Sequence, residues 1–152
     1  MNYQRNNVQA MQGYASGEQP ESDDIIKLNT NENPYPPSPT VAAALSTISA
    51  DSLRRYPPPT ALPLRRALAE LHAVNPENLI ITNGGDELLR LLLATFVEQD
   101  EMIATASPSY SLYDVLADAH GCSMRSFPLT KDWHLPETLA EEMNQAGIKL
   151  CF

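Results

Sequence analysis

Residues 79–90 (LIITNGGDELLR) hold the residue types and spacing that best suit the binding of an anion. A β-rich run meets two glycines there, and an apolar helical pattern then begins with two acids. Gly84 and Gly85 permit backbone angles and close approaches that side chains forbid. The unpaired N–H groups of the following helix can then point at a phosphate. Because Asp86 and Glu87 repel anions, a phosphate would rest on backbone amides. The alternative is an ordinary turn whose acids suit the helix dipole.

The elements around this junction alternate between apolar runs of strand length and helical periodicity. The predicted order is strand 79–82, helix 86–97, strand 101–106, helix 110–119, strand 122–127, helix 136–146 and strand 148–152. This alternation predicts an α/β fold with a mostly parallel sheet flanked by helices. The last strand would leave an uncovered apolar edge, so we expect the chain to be the N-terminal part of a longer protein. The alternative is an edge that pairs with a partner chain.

Two helices are predicted before the junction. One begins at Ser38-Pro39, ends before Tyr56 and has an apolar face formed by Val41, Ala44, Leu45 and Ile48. The three prolines at 57–59 then make an extended connection. The second helix begins near Pro63 and ends at Asn75-Pro76, and its buried face is predicted to comprise Leu64, Leu68 and Leu71.

The composition excludes several classes of function. A net charge of −9 argues against a nucleic-acid partner, since phosphate backbones select basic surfaces. The longest apolar stretch, 88–97, is too short to span a membrane, and residues 1–24 contain no signal peptide. Two distant cysteines and three scattered histidines suggest neither a disulfide framework nor a metal site, so a reduced, cytoplasmic setting is expected.

Five short motifs occur in an order that resembles one enzyme family. They are GYASGEQP at 13–20, NTNENPYPPSP at 29–39, RRYPPP at 54–59, NGGDE at 83–87 and SPSYSLYDVLADAHG at 107–121. Together they resemble the histidinol-phosphate aminotransferases, which are fold-type-I enzymes dependent on pyridoxal 5'-phosphate. The resemblance implies the aspartate aminotransferase-like fold, incomplete at its C-terminus. It also implies an arm, small-domain or dimer-contact segment at 1–50 and the first part of the large cofactor-binding domain at 51–152.

The resemblance also implies which residues contact the cofactor. Gly85, Asp86 and Glu87 would lie at its phosphate, and Tyr110 would stack on its ring. Tyr56 would reach across the interface of a homodimer to the phosphate held by the other subunit. From the residues alone, the favoured interpretation of Tyr110 is an aromatic side chain packed at a strand–helix corner. Tyr56 is equally compatible with a tyrosine packed on the prolines that follow it.

Two further residues are implied to contact the substrate. Asn33 of NENP lies where the family brings an N-terminal loop to the substrate, and Tyr14 matches a tyrosine near the substrate's own phosphate. Without the resemblance, the loop around Asn33 could be a plain extended arm. The motif around Tyr14 departs from the family pattern, because Ala15-Ser16 replaces the expected apolar residue and proline.

The implied reaction transfers an amino group from histidinol phosphate to 2-oxoglutarate in histidine biosynthesis. That chemistry needs a lysine for the Schiff base, and none of Lys27, Lys131 and Lys149 lies in the family's Ser-Lys context. We therefore expect no catalytic residue among these 152 and no activity from them alone. Alternatives are a related pyridoxal-phosphate-dependent decarboxylase of threonine phosphate and a non-catalytic remnant of a truncated gene.

Overall fold

A computed structural model describes residues 3–22 and 24–152 of the chain. These residues form two compact units. The sheet unit comprises the described residues up to Ala15 together with Thr82–Phe152, and the helical unit comprises the described residues of Ser16–Ile81. The helices are α1 (Asn6–Ala10), α2 (Pro39–Ser46), α3 (Ala50–Leu53), α4 (Leu62–His72), α5 (Gly85–Phe96), α6 (Leu112–His120) and α7 (Leu139–Gln145). The strands are β1 (Met102–Ser107), β2 (Ser123–Pro128) and β3 (Leu150–Cys151).

The sheet of the sheet unit is parallel, with β1 between β2 and β3. Met102 is in register with Ser123 on one side of β1, and Ile103 is in register with Leu150 on the other. Helix α6 connects β1 to β2, and α7 lies between β2 and β3 in the chain. Parallel neighbours need such crossover connections, so the predicted α/β alternation after residue 85 is confirmed.

The core of the sheet unit forms where α5 and α6 meet β1. It is built from the buried side chains of Leu93, Val97, Ile103, Ala117 and Cys122. Ile103 is fully buried and Leu93 is only 1% exposed, which follows from the central position of β1. A parallel strand covered by helices is shielded from water on both faces and therefore favours apolar residues.

The helical unit begins and ends its longest helix through backbone features. Pro63 occupies the first turn of α4, where a missing N–H does no harm, and Ala73 ends the helix in a left-handed conformation with φ of 53°. Arg65 donates from Nε to the carbonyl of Pro76 at 2.9 Å, which ties α4 to the 3-10 turn Pro76–Asn78. Only Ala69 is fully buried in the described part of this unit.

Two predictions in the helical unit are wrong in part. Leu64 and Leu71 are 49% and 74% exposed, whereas only Leu68 of the predicted buried face is half-buried. Periodicity identifies an apolar face, but burial also requires a neighbouring element to cover it. The helix predicted from Ser38 is also shorter than expected, because α2 ends at Ser46 before Ile48.

The predicted strand at 79–82 is absent as well. Leu79 is extended, with φ of −117° and ψ of 134°, but 79–82 join no ladder among the described residues. Among the described residues, the three strands of the sheet pair only with one another. A strand is defined by hydrogen bonds to a neighbour, so an extended apolar run without one remains a connecting segment.

Candidate functional site

The turn that precedes α5 depends on a glycine. Gly84 has φ of +83° and ψ of 173°, a conformation that L side chains rarely adopt. Thr82 donates from its hydroxyl to the carbonyl of Gly84 at 2.8 Å and holds the turn from inside the chain. A Cβ added to Gly84 or Gly85 would meet no other atom within 4 Å. The space beside the turn is therefore open.

The acids of the first turn of α5 have different surroundings. Glu87 is half-buried, and its Oε2 accepts the backbone N–H of Asn83 at 2.5 Å. Its side chain therefore braces the turn. Asp86 is exposed, and the N-cap residue of α5 is Gly84, which has no side chain to cap the first turn. The amides of the first turn thus remain available to an anion that approaches through the open space.

Tyr110 lies between the end of β1 and the start of α6 in the same unit. The residue is 42% exposed, and its hydroxyl is 3.4 Å from the hydroxyl of Tyr14. The two rings meet edge to face, with centroids 6.3 Å apart. The structure therefore brings together two tyrosines that are 96 residues apart in the chain, one predicted for the cofactor and one for the substrate.

The surroundings of Tyr110 favour its neutral form. The hydrogen bond with Tyr14, partial desolvation and the negative charge of Asp86 together raise the pKa of Tyr110 to about 12. The phenol therefore keeps its proton at neutral pH and can act as a hydrogen-bond donor. Asp86, whose charge contributes to this shift, lies in the first turn of α5.

Two aromatic residues that the sequence interpretation did not single out extend this group. Tyr113 meets Tyr110 edge to face, with centroids 5.7 Å apart and an interplanar angle of 83°. Phe152 stacks on Tyr113 at 4.8 Å with an interplanar angle of 18°. The spacing of Tyr110 and Tyr113 is a signal that could have been used, since residues three apart face each other across one turn. Nothing local in the sequence connects Phe152 to them.

The other predicted site residues belong to the helical unit. Asn33 accepts the backbone N–H of Tyr35 through its Oδ1 at 3.0 Å, so its side chain shapes a local turn. Tyr56 is fully exposed to water among the described residues. The roles assigned to Asn33 and Tyr56 stay predictions.

The three lysines differ in their surroundings. Lys27 of the helical unit forms an ion pair with Glu32. Lys149 pairs with Glu101 at 3.3 Å, where the chain enters β3 and β1, whereas Tyr110 follows the other end of β1. Lys131 lies exposed in the loop after β2.

Metal and membrane features were also considered. Within residues 3–22 and 24–152, no three His, Cys, Asp or Glu side chains are grouped so that they could hold a metal ion. None of the helices in that part of the chain is long and apolar enough to cross a bilayer.

Several curated proteins with similar sequences share one name. Two curated relatives are the histidinol-phosphate aminotransferases of Geotalea daltonii, which is 44% identical over 134 residues, and of Rhodopirellula baltica, which is 43% identical over 141 residues. The matches cover 88% and 92% of this chain but only 39% and 38% of those proteins. The chain thus spans about two-fifths of the length of the curated relatives it matches.

Solved structures give the same result for the fold. The histidinol-phosphate aminotransferase of Sinorhizobium meliloti, solved with pyridoxal-5'-phosphate, superposes with a TM-score of 0.73 at 25% identity, covering 80% of this chain and 33% of that one. A putative aminotransferase of Burkholderia pseudomallei superposes with a TM-score of 0.60 at 29% identity, covering 74% and 34%. These likenesses confirm the predicted fold class.

A family model agrees with these likenesses. The model of aminotransferase class I and II matches residues 23–146, which is most of the chain. The match includes the NENP, RYP and NGGDE motifs and Tyr110. The protein therefore belongs to the aminotransferase class I and II family, as the order of its motifs predicted.

Proposed function

We propose that this chain forms part of the cofactor site of a pyridoxal-phosphate-dependent histidinol-phosphate aminotransferase. The proposed reaction converts histidinol phosphate and 2-oxoglutarate to imidazole acetol phosphate and glutamate. The observation that carries the proposal is the open N-terminus of α5, which lies in the same compact unit as Tyr110. The family and the cofactor present in the Sinorhizobium meliloti relative support pyridoxal 5'-phosphate. The names of the curated relatives support histidinol phosphate as the substrate.

The residues of the sheet unit suit a group that combines an anion with an aromatic ring. Backbone amides at Gly85 and Asp86 would hold the phosphate, because a helix N-terminus carries unpaired N–H groups and a partial positive charge. Glu87 is occupied with the N–H of Asn83, so it would keep the turn rigid and not contact the phosphate directly. The half-exposed ring of Tyr110 presents a flat apolar surface for stacking.

The bound cofactor would supply an electrophilic aldehyde and an electron-withdrawing ring for amino-group transfer. Tyr110 would orient that ring and, as a neutral phenol, add no negative charge beside it. Tyr14 would hold the hydroxyl of Tyr110 and remain close enough to contact the substrate. We propose that the lysine required for the chemistry is none of the three present, so that residues 1–152 alone do not catalyse the reaction.

A binding measurement tests the cofactor proposal directly. Pyridoxamine 5'-phosphate and pyridoxamine carry no aldehyde and cannot bond covalently to lysines, so their dissociation constants report only the site. We expect the phosphorylated form to bind at least about tenfold more tightly, because only it engages the α5 amides. Equal affinities would exclude a phosphate site at α5. Tyr110→Leu should weaken both ligands, whereas Tyr35→Phe in the helical unit should weaken neither.

An activity measurement tests the reaction. The protein encoded by the whole gene should form glutamate from histidinol phosphate and 2-oxoglutarate, and a polypeptide of residues 1–152 should not. Formation of carbon dioxide from threonine phosphate without formation of glutamate would favour the decarboxylase. Turnover by the 152-residue polypeptide would contradict the assignment of the lysine.

We also propose that the protein acts as a homodimer in which Tyr56 contacts the phosphate bound by the other subunit. The full exposure of its ring leaves the phenol available for such a contact. A phenol can donate one directed hydrogen bond without adding charge. Tyr56→Phe should therefore weaken binding of pyridoxamine 5'-phosphate by about 2- to 10-fold and leave pyridoxamine unaffected. Equal binding of the phosphorylated ligand by Tyr56→Phe and the parent protein would remove this role.

A further inference from the structure

Four aromatic rings form a continuous row in the sheet unit. In spatial order the row comprises Phe152, Tyr113, Tyr110 and Tyr14. Phe152 follows β3, Tyr113 belongs to α6, Tyr110 lies in the connection before α6, and Tyr14 belongs to the N-terminal segment. The proposed cofactor contact explains Tyr110 and the proposed substrate contact explains Tyr14. Neither proposal explains why Tyr113 and Phe152 complete the row.

One end of the row is attached to the core. Phe152 packs against the buried cluster that contains Ile103 and Leu93, and its backbone N–H donates to the carbonyl of Ala104 at 2.9 Å. Ala104 is fully buried in the central strand. Phe152 is therefore fixed by the best packed part of the chain, and its ring can serve as a support for a neighbour.

Tyr113 transmits that support to Tyr110. Its ring lies parallel to Phe152 at 4.8 Å and nearly perpendicular to Tyr110 at 5.7 Å. Its backbone N–H also donates to the carbonyl of Tyr110 at 3.2 Å. Offset stacking and edge-to-face contact are the two favourable arrangements of aromatic pairs, so each contact resists rotation of the next ring.

Tyr110 needs such support because much of it faces solvent. An aromatic side chain with a 42% exposed residue surface has few core neighbours to select one rotamer. A ring that must stack on a flat ligand loses affinity when it samples other orientations, since their entropy is lost on binding. Tyr14 contacts the hydroxyl end of Tyr110, and Tyr113 contacts its ring.

We propose that Tyr113, braced by Phe152, is a positioning residue that holds the ring of Tyr110 in the orientation required to stack on the cofactor. The inference rests on the proposed function, because it takes Tyr110 as the stacking residue. Tyr113 itself touches no ligand in this arrangement. This positioning role requires the aromatic ring of Tyr113 but not its hydroxyl.

A double-mutant cycle on the whole protein tests the proposal, with pyridoxamine 5'-phosphate as the probe. Tyr113→Leu should raise the dissociation constant about 2- to 10-fold, which is the range expected for one lost aromatic contact. Tyr113→Phe should retain the affinity of the parent protein. In a Tyr110→Leu background, Tyr113→Leu should have no further effect, because the ring that it positions is gone. Equal effects in both backgrounds would overturn the proposal.

A matched control separates positioning from general stability. Phe127 is 4% exposed in β2 and lies outside the row, so Phe127→Leu should lower the unfolding midpoint without changing the dissociation constant. The near-ultraviolet circular dichroism of the protein without ligand supplies a second readout. Tyr113→Leu should change the tyrosine signal by more than the loss of one ring, since Tyr110 would also become mobile. A change equal to one ring would contradict the proposal.

Two outcomes distinguish this inference from the proposed function. If Tyr110→Leu leaves the affinity unchanged, Tyr110 does not stack on the ligand, and both its stacking role and the positioning role of Tyr113 fail. If Tyr110→Leu weakens binding and Tyr113→Leu does not, only the positioning role fails. Should Tyr113→Leu not fold, Phe152→Leu removes the stacking partner of Tyr113 while leaving an apolar side chain on the core. That variant should weaken binding about 2-fold, and parent-like affinity would overturn the proposal.

Discussion

The two units of this chain differ in what their apolar side chains contact. In the sheet unit, Leu93 and Ile103 are almost completely removed from water. The helical unit also contains large apolar residues, but Ile26, Leu28 and Leu71 are 83%, 88% and 74% exposed. The difference teaches that an apolar pattern is stabilising only where another element covers it. The residues of the proposed cofactor site that the structure brings together all belong to the covered unit.

The largest expected effect sharpens this comparison through one leucine from each unit. Leu93→Ala should lower the free energy of unfolding by about 2–5 kcal/mol, because it removes a buried side chain and leaves a cavity. Leu71→Ala should change it by less than about 0.5 kcal/mol, since that side chain already faces water. Urea denaturation followed by circular dichroism measures both. Similar losses for the two variants would show that the helical unit is covered after all.

A second experiment compares the two glycines of the turn before α5. Gly84→Ala should lower the free energy of unfolding by about 1–2 kcal/mol, because its φ of +83° is strained for any residue with a Cβ. Gly85→Ala is the matched control and should be neutral or slightly stabilising, since it lies in the first helical turn with open space around it. The same urea denaturation applies. Equal effects at both positions would mean that the turn has another conformation.

A third experiment tests whether the exposed phenol of Tyr110 in the sheet unit is held by its hydrogen bond with Tyr14. Tyr14→Phe should move the pKa of Tyr110 from about 12 toward 10, because the hydrogen bond with Tyr14 is the main cause of the shift. A raised pKa stabilises the folded state fully below pH 10, and this contribution is lost as the pH rises through 12. Tyr14→Phe should therefore reduce the loss of folding stability that accompanies the titration of Tyr110 between pH 10 and pH 12.

The measurement for this prediction is absorbance of the phenolate near 295 nm as the pH is raised. The difference between the parent protein and Tyr110→Phe isolates the titration of Tyr110. The same subtraction in the Tyr14→Phe background gives the shifted value. An unchanged midpoint would mean that the two hydroxyls are not hydrogen-bonded in solution.

The smallest expected effect concerns exposed ion pairs. Their contribution to the free energy of unfolding should be equally small in the two units. Asp51 pairs with Arg54 and Arg55 in the helical unit, and Glu142 pairs with Arg125 at 2.8 Å in the sheet unit. Asp51→Asn and Glu142→Gln should each change the free energy of unfolding by less than about 1 kcal/mol, because water and salt screen exposed charges. Thermal denaturation at low and high salt measures both. A larger loss for one variant would break this equivalence.

Much of the fold after residue 85 could be predicted, because its elements are local. The periodicity of Leu88, Leu92 and Phe96 predicted α5, and the apolar run around Ile103 predicted the central strand. Boundaries were less accurate: α6 begins at Leu112, two residues later than predicted, after the turn that contains Pro108. Proline lacks the N–H that a continuous helix or strand requires.

The errors arose where an interaction with another part of the chain decides the outcome. The run at 79–82 has strand composition, but no described strand pairs with it. Leu64 and Leu71 have helical spacing, but no element among the described residues buries them. The division of the chain at residue 50 concerns the domains of a complete enzyme and stays a prediction.

The sequence by itself determined the family and the chemistry that the chain can offer. The glycines of the NGGDE turn, the order of the motifs and the absence of a Ser-Lys segment are all properties of short stretches of residues. Only the tertiary structure decided which side chains meet. Tyr14 reaches Tyr110, and Phe152 supports Tyr113, across separations of 96 and 39 residues. Local patterns carry the preferences of the backbone, whereas such contacts depend on how distant elements pack together.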